Sequence, residues 1–398
     1  MLLKEVCKIS ANNYQKKDNW SYFNYLDTGS LTKNNIEGFQ KFNSTKELPS
    51  RAKQKVEKDT ILYSSVRPNQ EHYGYIDKDY DNLLVSTGFI ILEPTQSKVN
   101  PKYLYYYITQ KRITDLLQGI AQNSTSSYPS ITKDDLLDLE IDLPPRPIQD
   151  KIVEILSNID SQIERNNTMV KTLQVLVQST YSRWFNQFEF PNEDGLPYKS
   201  NGGKLVYNEE LKREIPIGWE VKELEDLLIK NTTKYNGSTI NTIDLSVMPS
   251  GSFSLMTLNS SDNFTTNLFE MKQGDLMFGS IRPYLKKAGI APCNVAFAGT
   301  VHSYHTKNDY DYNLCLCALT NDDMFNYAIK NAKGTKMPVI ASDDLLKYKV
   351  PYNKNIVKLF NDTLIIKDIV CNCVMQNIEL NQLKSKLLPL LINGQLEV

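Results

Sequence analysis

The stretch YPSITKDDLLDLEIDLPP, Tyr128 to Pro145, has a second version later in the same chain: MPVIASDDLLKYKVP, Met337 to Pro351. Each sets a proline two residues ahead of an isoleucine, follows with Asp-Asp-Leu-Leu, and closes a short β-prone run with proline. Each then hands over to a long helical pattern. A junction written twice marks an internal repeat, and the repeat decides the architecture before any single motif does.

The repeat extends upstream. VEKDTILYSSVRP (Val56 to Pro68) matches MKQGDLMFGSIRP (Met271 to Pro283): a polar turn, an apolar β-rich run, then Ser-(Val/Ile)-Arg-Pro. That is a strand delivering an arginine into a loop, because the proline cannot continue a central strand. NPKYLYYYITQKRITDLLQG, Asn100 to Gly119, reads as one helix with Leu104, Tyr107, Ile108, Leu116 and Leu117 on one face and Gly119 as its stop. YDYNLCLCALTNDDMFNYAIKNAKG, Tyr310 to Gly334, answers it. The loops that follow differ. GIAQNSTSSYP is long and rich in Ser and Thr, whereas GTKMP is short and basic. A shared framework with divergent loops fits two copies doing one job on different targets.

After the first copy, Ile152, Leu156, Ile159, Ile163, Asn166, Val170, Leu173, Val177, Thr180 and Trp184 alternate spacings of four and three, a heptad seam broken only by Asn166 and Thr180. The second seam is Leu359, Ile366, Val370, Cys373, Leu380, Leu387 and Leu391; Asn377 and Lys384 weaken it, and Pro389 should disturb its last turn. Two such helices in one chain most simply pack antiparallel. EFPNEDGLPYKSNGGK, Glu189 to Lys204, has linker composition, and Trp219 just beyond it reads as a buried anchor. The expected plan is a first α/β domain over 1–146, a helix over 147–187, a linker over 188–214, a second α/β domain over 215–351 and a helix over 352–398.

Bulk properties constrain function only broadly. With 398 residues and 41% hydrophobic residues the chain is an ordinary globular protein of several domains. No apolar run approaches the length of a membrane span, and MLLKEVCKIS is too short and charged for a secretory signal, so a cytoplasmic location is expected. The net charge of -1 neither announces nor excludes a nucleic-acid partner, since phosphate contact needs local basic clusters. The six cysteines show no disulfide-framework spacing. A zinc site would use Cys315-x-Cys317 or Cys371-x-Cys373 with His302 and His305, but these cysteines sit in apolar and helical runs, so no metal is expected.

An active site is hard to find. DLPPR, Asp142 to Arg146, only faintly echoes an amino-methyltransferase signature, and its prolines serve equally to end a strand and start a helix. There is no Gly-rich nucleotide loop and no Walker motif. Glu220-Val221-Lys222 lacks the partner aspartate that a nuclease would need. With three histidines and no nucleophile–base constellation, no catalytic residue is assigned.

The ordered set ILYSSVRP and LMFGSIRP, KYLYYYI, SITKDDLLDLEIDLPPRPIQDKIVEILSNIDSQIERN, IPIGWEVKEL and LKSKLLPLLINGQL resembles the specificity subunits of type I restriction–modification systems, over essentially the whole chain. It departs from that pattern at the second junction, which lacks the double proline and glutamine, and at the first domain, which lacks the Pro-x-Gly-Trp opener. The resemblance implies two target-recognition domains in an internal repeat, separated by an antiparallel coiled coil, each reading one half of a bipartite, asymmetric site in double-stranded DNA. It implies two modification subunits that bind S-adenosylmethionine and methylate adenine N6, and restriction subunits that use ATP and Mg. The chain itself would bind no cofactor and carry no chemistry. Loop positions with divergent sequence are then the DNA-reading candidates: Arg67, Asn69, Gln70, Asn123, Ser124, Thr125, Ser126 and Tyr128 in the first domain, and Arg282, Tyr284, Lys286, Lys287, Lys333, Thr335 and Lys336 in the second. SRAKQKVEK, Ser50 to Lys58, is a further basic stripe, and Gln149, Glu154, Asn158 and Arg165 lie off the seam as contacts for a modification subunit. Two alternatives stay open: a coiled-coil adaptor with two protein-binding modules, and the recognition portion of a self-contained methyltransferase or nuclease.

Overall fold

The computed structural model describes residues 1–124 and 128–398, so Thr125 and Ser126 lie outside the described residues. The chain forms two compact units, residues 1–159 with 384–398, and residues 160–383.

The first unit is built from β1 (Cys7–Ile9), β2 (Phe23–Leu26), β3 (Gln40–Phe42), β4 (Ala52–Lys55), β5 (Ile61–Ser64), β6 (Tyr73–Tyr75), β7 (Leu83–Ser86) and β8 (Phe89–Pro94). One sheet has the order β1-β8-β5-β6 and is antiparallel throughout; the other runs β3-β2-β7-β4, with β2 and β7 parallel. All four residues of β5 are buried, which is why ILYS carries no polar alternation. Helix α1 (Pro101–Ile108) covers this sheet. Asn100 caps it by accepting from the backbone N–H of Lys102 and Tyr103, and Tyr103, Tyr105, Tyr106 and Tyr107 are all buried.

The single helix expected over 100–119 is in fact two, α1 and α2 (Lys111–Gln122). The break has a local cause. Thr109 Oγ1 donates to the Tyr105 carbonyl (2.8 Å) and Gln110 Nε2 to that of Tyr107 (3.0 Å), so side chains satisfy the last carbonyls of α1. Gly119 lies inside α2 rather than ending it, and Leu116 is exposed.

In the second unit β9 (Leu228–Lys230), β10 (Asn241–Ile243), β11 (Asn259–Ser260), β12 (Leu268–Met271), β13 (Leu276–Gly279), β14 (Ala288–Ile290), β15 (Val295–Ala298) and β16 (Val301–Thr306) repeat the plan. The orders are β9-β16-β13-β14 and β11-β10-β15-β12, with β10 and β15 the parallel pair. Each strand thus has a counterpart in the first unit in the same place. Helices α5 (Tyr312–Thr320) and α6 (Asp322–Asn331) answer α1 and α2.

Asp-Asp-Leu-Leu forms a short helix each time. In α3 (Lys133–Leu137) Thr132 and Asp135 make a reciprocal capping box and Leu136 is fully buried; in α7 (Ser342–Leu346) Leu345 is fully buried. The run after it pairs with the segment that opens the domain. Lys349–Tyr352 pairs antiparallel with Glu220–Glu223. In the first unit, Leu3 N–H donates to Leu139 O (2.9 Å) and Ile141 N–H to Met1 O (2.8 Å).

The long helices are α4 (Arg146–Tyr181), continued by a π-helical turn over Ser182–Asn186, and α9 (Lys367–Ile392). Their paired stretches run antiparallel within each unit. Ile152 and Leu156 share a core with Leu391 and Ile392 in the first, and Val170 and Val177 share one with Ile366, Val370, Val374 and Ile378 in the second. Along the first seam Thr180 gives way to Tyr181, the drift an α-helix shows against a strict heptad, while Val177 before it and Trp184 after it are buried as expected. The helix expected over 352–398 is interrupted. Helix α8 (Lys354–Thr363) ends where Asn313, buried in α5, donates its Nδ2 to the Leu364 carbonyl (2.8 Å); Leu359 is exposed, off the seam. Pro389 does not break α9, which runs on to Ile392 and closes at Gly394 in the left-handed region (φ 66°). Residues 188–214, read as a linker, hold a hairpin, Leu205–Asn208 with Arg213–Pro216. Phe188 and Phe190 are buried, with rings 5.5 and 5.1 Å from that of the half-buried Trp219, so aromatic packing folds this polar-looking stretch.

Asn377 is not a defect in the second seam but the partner of Asn166. Asn166 Nδ2 donates to Asn377 Oδ1 (2.9 Å), and Asn377 Nδ2 to Asn167 Oδ1 (2.9 Å); both seam residues are buried. Replacing Asn166 alone by Leu strands one buried amide acceptor and should cost about 1–3 kcal/mol. The double variant Asn166→Leu/Asn377→Leu should lose clearly less than the sum of the single variants. Denaturant titration of all four proteins measures the coupling; simple additivity would mean the pair contributes nothing as a pair.

Candidate nucleic-acid interface

The Ser-x-Arg-Pro ends of β5 and β13 fold into the same object. Ser65 uses its N–H and Oγ on the Gly88 carbonyl (2.9 and 3.0 Å), and Ser280 uses the same groups on Thr300 (3.0 and 2.9 Å). The Pro-x-Ile junction lies alongside. Arg67 N–H donates to Pro129 O (2.9 Å) and Ile131 N–H to Ser65 O (2.8 Å); Arg282 N–H donates to Pro338 O (2.7 Å) and Ile340 N–H to Ser280 O (2.9 Å).

At this clamp both arginines take left-handed backbone, Arg67 at φ 48°, ψ 68° and Arg282 at φ 53°, ψ 64°. A three-residue 3-10 turn follows, opened by a buried proline, and then a second left-handed residue, Glu71 (φ 57°) or Lys286 (φ 51°). For a residue with a Cβ this conformation costs about 1 kcal/mol or more. It persists where surrounding bonds over-determine it, as at ligand-gripping sites. The result is an exposed arginine on a rigid five-residue turn, twice.

The side chains around the two turns differ. The Arg67 guanidinium lies over the Tyr128 ring, 5.0 Å from its centroid. Asn69 N–H donates to Gln118 Oε1 (3.1 Å), which ties the turn to α2; Asn69 and Gln70 are exposed. Asn123 Nδ2 donates to the Gly119 carbonyl (3.3 Å), and Ser124 Oγ accepts from Ser130 N–H (3.3 Å). In the second unit Arg282 and Tyr284 are exposed, and among the described residues the Arg282 guanidinium has no hydrogen-bond, ion-pair or ring partner. Lys286 pairs with Asp322 (2.5 Å). Lys287 turns inward: its Nζ donates to the Leu245 carbonyl (2.6 Å), and burial lowers its pKa, so it leaves the set of free surface cations. Lys333 exchanges both backbone bonds with Val339 (2.8 Å each) across Gly334 (φ 100°), leaving Thr335 and Lys336 at an exposed tip.

The other expectations divide. Gln149 is corrected outright. It is buried, its Oε1 accepting from Asn100 N–H (2.9 Å) and its Nε2 donating to Pro144 O (2.9 Å), so it braces the start of α4 and offers nothing to a partner. Glu154, Asn158 and Arg165 are exposed, with Arg165 reaching Gln162 (2.8 Å). The Ser50–Lys58 stripe is partly neutralised, since Lys55 pairs with Asp18 (3.1 Å). Lys222 pairs with Glu220 (3.3 Å) and stacks on Tyr352, a strand-edge arrangement. Among the described residues no group of three or more His, Cys, Asp or Glu is placed to hold a metal ion, and no helix is long and apolar enough to cross a membrane. The Arg67–Tyr128 stack and the Gln118 brace went unseen in the sequence because each joins residues far apart along the chain.

Comparison with known proteins follows the same lines. Residues 1–174 match the type I restriction modification DNA specificity domain. The HindI specificity subunit of Haemophilus influenzae is 32% identical over 183 residues, 46% of this chain and 40% of that protein, so the match spans less than half of that relative's length. The MjaIX specificity subunit of Methanocaldococcus jannaschii is 26% identical over 86% of this chain and 78% of its own. The S subunit of a type I restriction–modification system from M. genitalium shares the fold, with a TM-score of 0.50 at 13% identity over 99% of this chain and 93% of that one.

One titration is built into the second junction. His302, half-buried in β16, shares a hydrogen on Nε2 with the Ile340 carbonyl (2.9 Å), and desolvation holds its pKa below the ordinary 6.5. The unfolded chain therefore takes up a proton near pH 6.5 that the folded chain resists. Stability contributed by this group is full above 6.5 and falls as pH drops toward the folded pKa. Melting temperatures at pH 7.5 and 5.5 should show a smaller acid loss in His302→Gln, whose amide can still reach Ile340, than in the unaltered protein; equal losses would remove His302 from the account.

Proposed function

We propose, for a chain that belongs to the specificity-subunit family of type I restriction–modification systems, that it selects the DNA sequence for its complex and carries no active site of its own. The observation that carries this reading is the duplicated turn, with the same strained backbone and an exposed arginine at φ 48° and φ 53° in two domains of the same topology, surrounded by different side chains. One frame used twice with different surroundings suits a bipartite, asymmetric site, each domain reading one half.

The work divides by chemistry. Arg67, Arg282, Lys286, Lys333 and Lys336 supply cations for phosphate or guanine, while Asn69, Gln70 and Asn123 offer the amide pairs that suit adenine. The readers correspond to 1–146 and 215–351, and α4 and α9 set the unread spacer and dock two modification subunits through exposed positions such as Glu154, Asn158 and Arg165. S-adenosylmethionine, ATP and Mg belong to the modification and restriction partners, and the complex works in the cytoplasm on double-stranded DNA.

The test is a methylation map. The chain is expressed with its modification subunit in a methylation-free host, and modified adenines are located by sequencing. The expected result is a split motif, two short blocks around a fixed gap; exchanging residues 215–351 for another second reader should alter one block only. In vitro, the complex should lose DNA affinity steeply with salt, log K falling by about 0.9 per phosphate contacted for each tenfold rise. A soluble complex with no motif and salt-insensitive binding would instead favour the coiled-coil adaptor.

A further inference from the structure

The two arginine turns share a backbone but not a job. Arg67 and Arg282 differ by only a few degrees in φ and ψ, and each donates its N–H to the junction proline. The residue before that proline therefore occupies the same place beside the arginine in both copies. In the first copy it is Tyr128, whose ring lies 5.0 Å from the Arg67 guanidinium; in the second it is Met337, half exposed, and Arg282 has no side-chain partner among the described residues.

We infer that Tyr128 is a positioning residue that makes Arg67 a base-discriminating contact, while Arg282 grips the DNA backbone. This rests on the DNA-specificity reading above. A guanidinium is a planar fork, and its two parallel donors match guanine O6 and N7 only when the plane is held in a fixed attitude. A ring beneath a guanidinium attracts the cation through its π face and uses none of its N–H donors on an acceptor, so the Arg67 head is restrained 5.0 Å from the Tyr128 centroid with its donors unspent. The rigid turn fixes where the side chain starts, and the ring fixes how it is presented. Arg282 has the first constraint without the second. A charged group with a fixed root and a mobile head meets a phosphate, which accepts from many directions, better than a base edge, which does not.

The experiment uses the assembled complex with its modification subunit and reads two quantities for each variant, the methylated motif and the salt dependence of DNA affinity. Arg67→Ala should relax one position in one block of the motif, and Tyr128→Leu should relax that same position to a lesser degree. Tyr128→Phe, which keeps the ring, should restore it. Arg282→Ala should leave the motif intact, lower affinity for all sequences alike, and reduce the salt slope by about 1. Tyr128 is 59% exposed, so its variants should fold, and an unchanged motif in the other block confirms this internally. If Tyr128→Leu leaves the motif unchanged, or if Arg282→Ala relaxes a base as Arg67→Ala does, the division of labour is wrong although the DNA reading stands. An unaltered complex that writes no split motif would overturn both.

Discussion

Each domain hangs on two backbone hydrogen bonds, from arginine N–H to proline carbonyl and from isoleucine N–H back to serine carbonyl. They join the end of a fully buried strand to the segment that enters the Asp-Asp-Leu-Leu helix, and so couple the sheet to everything downstream. Proline at 129 and 338 can accept but not donate, so the pairing is one-sided and the ladder ends there. The arginine that closes it is left at the rim with positive φ, outside the sheet, its backbone held by the bond to the proline carbonyl. Leu136 or Leu345 then plugs the core one helical turn later, and the exit run pairs with the segment that opened the domain.

That frame was legible because it is written in residues with strong backbone preferences. Arg-Pro after a β-run, Pro-x-Ile, and Asp-Asp-Leu-Leu each restrict the chain locally, and their repetition in the same order fixes the topology twice. What escaped the sequence was held by polar side chains acting at a distance. Thr109 and Gln110 end α1, Asn313 reaches the Leu364 carbonyl to end α8, and Gln149 is buried because Asn100 bonds to it. Lys287 looked like a surface cation until Leu245 came within reach. Residues of this kind read as solvent-facing in any window, since nothing nearby says which backbone group they will find.

The helical seam teaches the same lesson from the other side. Asn166 and Asn377 each look like a flaw when a heptad is read one helix at a time. Paired, they bond to each other at 2.9 Å in the second unit, and Asn167, Gln162 and Gln376 complete a polar layer around them. A slip of either helix by a turn would place each amide against aliphatic side chains, an arrangement that costs about 1–3 kcal/mol per stranded group. The polar layer therefore defines register where Leu, Ile and Val, being interchangeable partners, define it poorly.

The turns themselves show why the backbone and side chains should be read as separate layers. Glycine would take the conformation of Arg67, Glu71, Arg282 and Lys286 without strain, yet none of the four positions uses it. The same departure at the same positions in both copies points to the frame, not to an accident of either loop. At Arg67 and Arg282 the tolerated strain keeps a long cationic side chain at a fixed root on an exposed rim. The clamp sets that location, and the residue ahead of the proline sets the side chain's freedom. Divergence can therefore act on the second without disturbing the first, so one fold can present the same charge in two different ways.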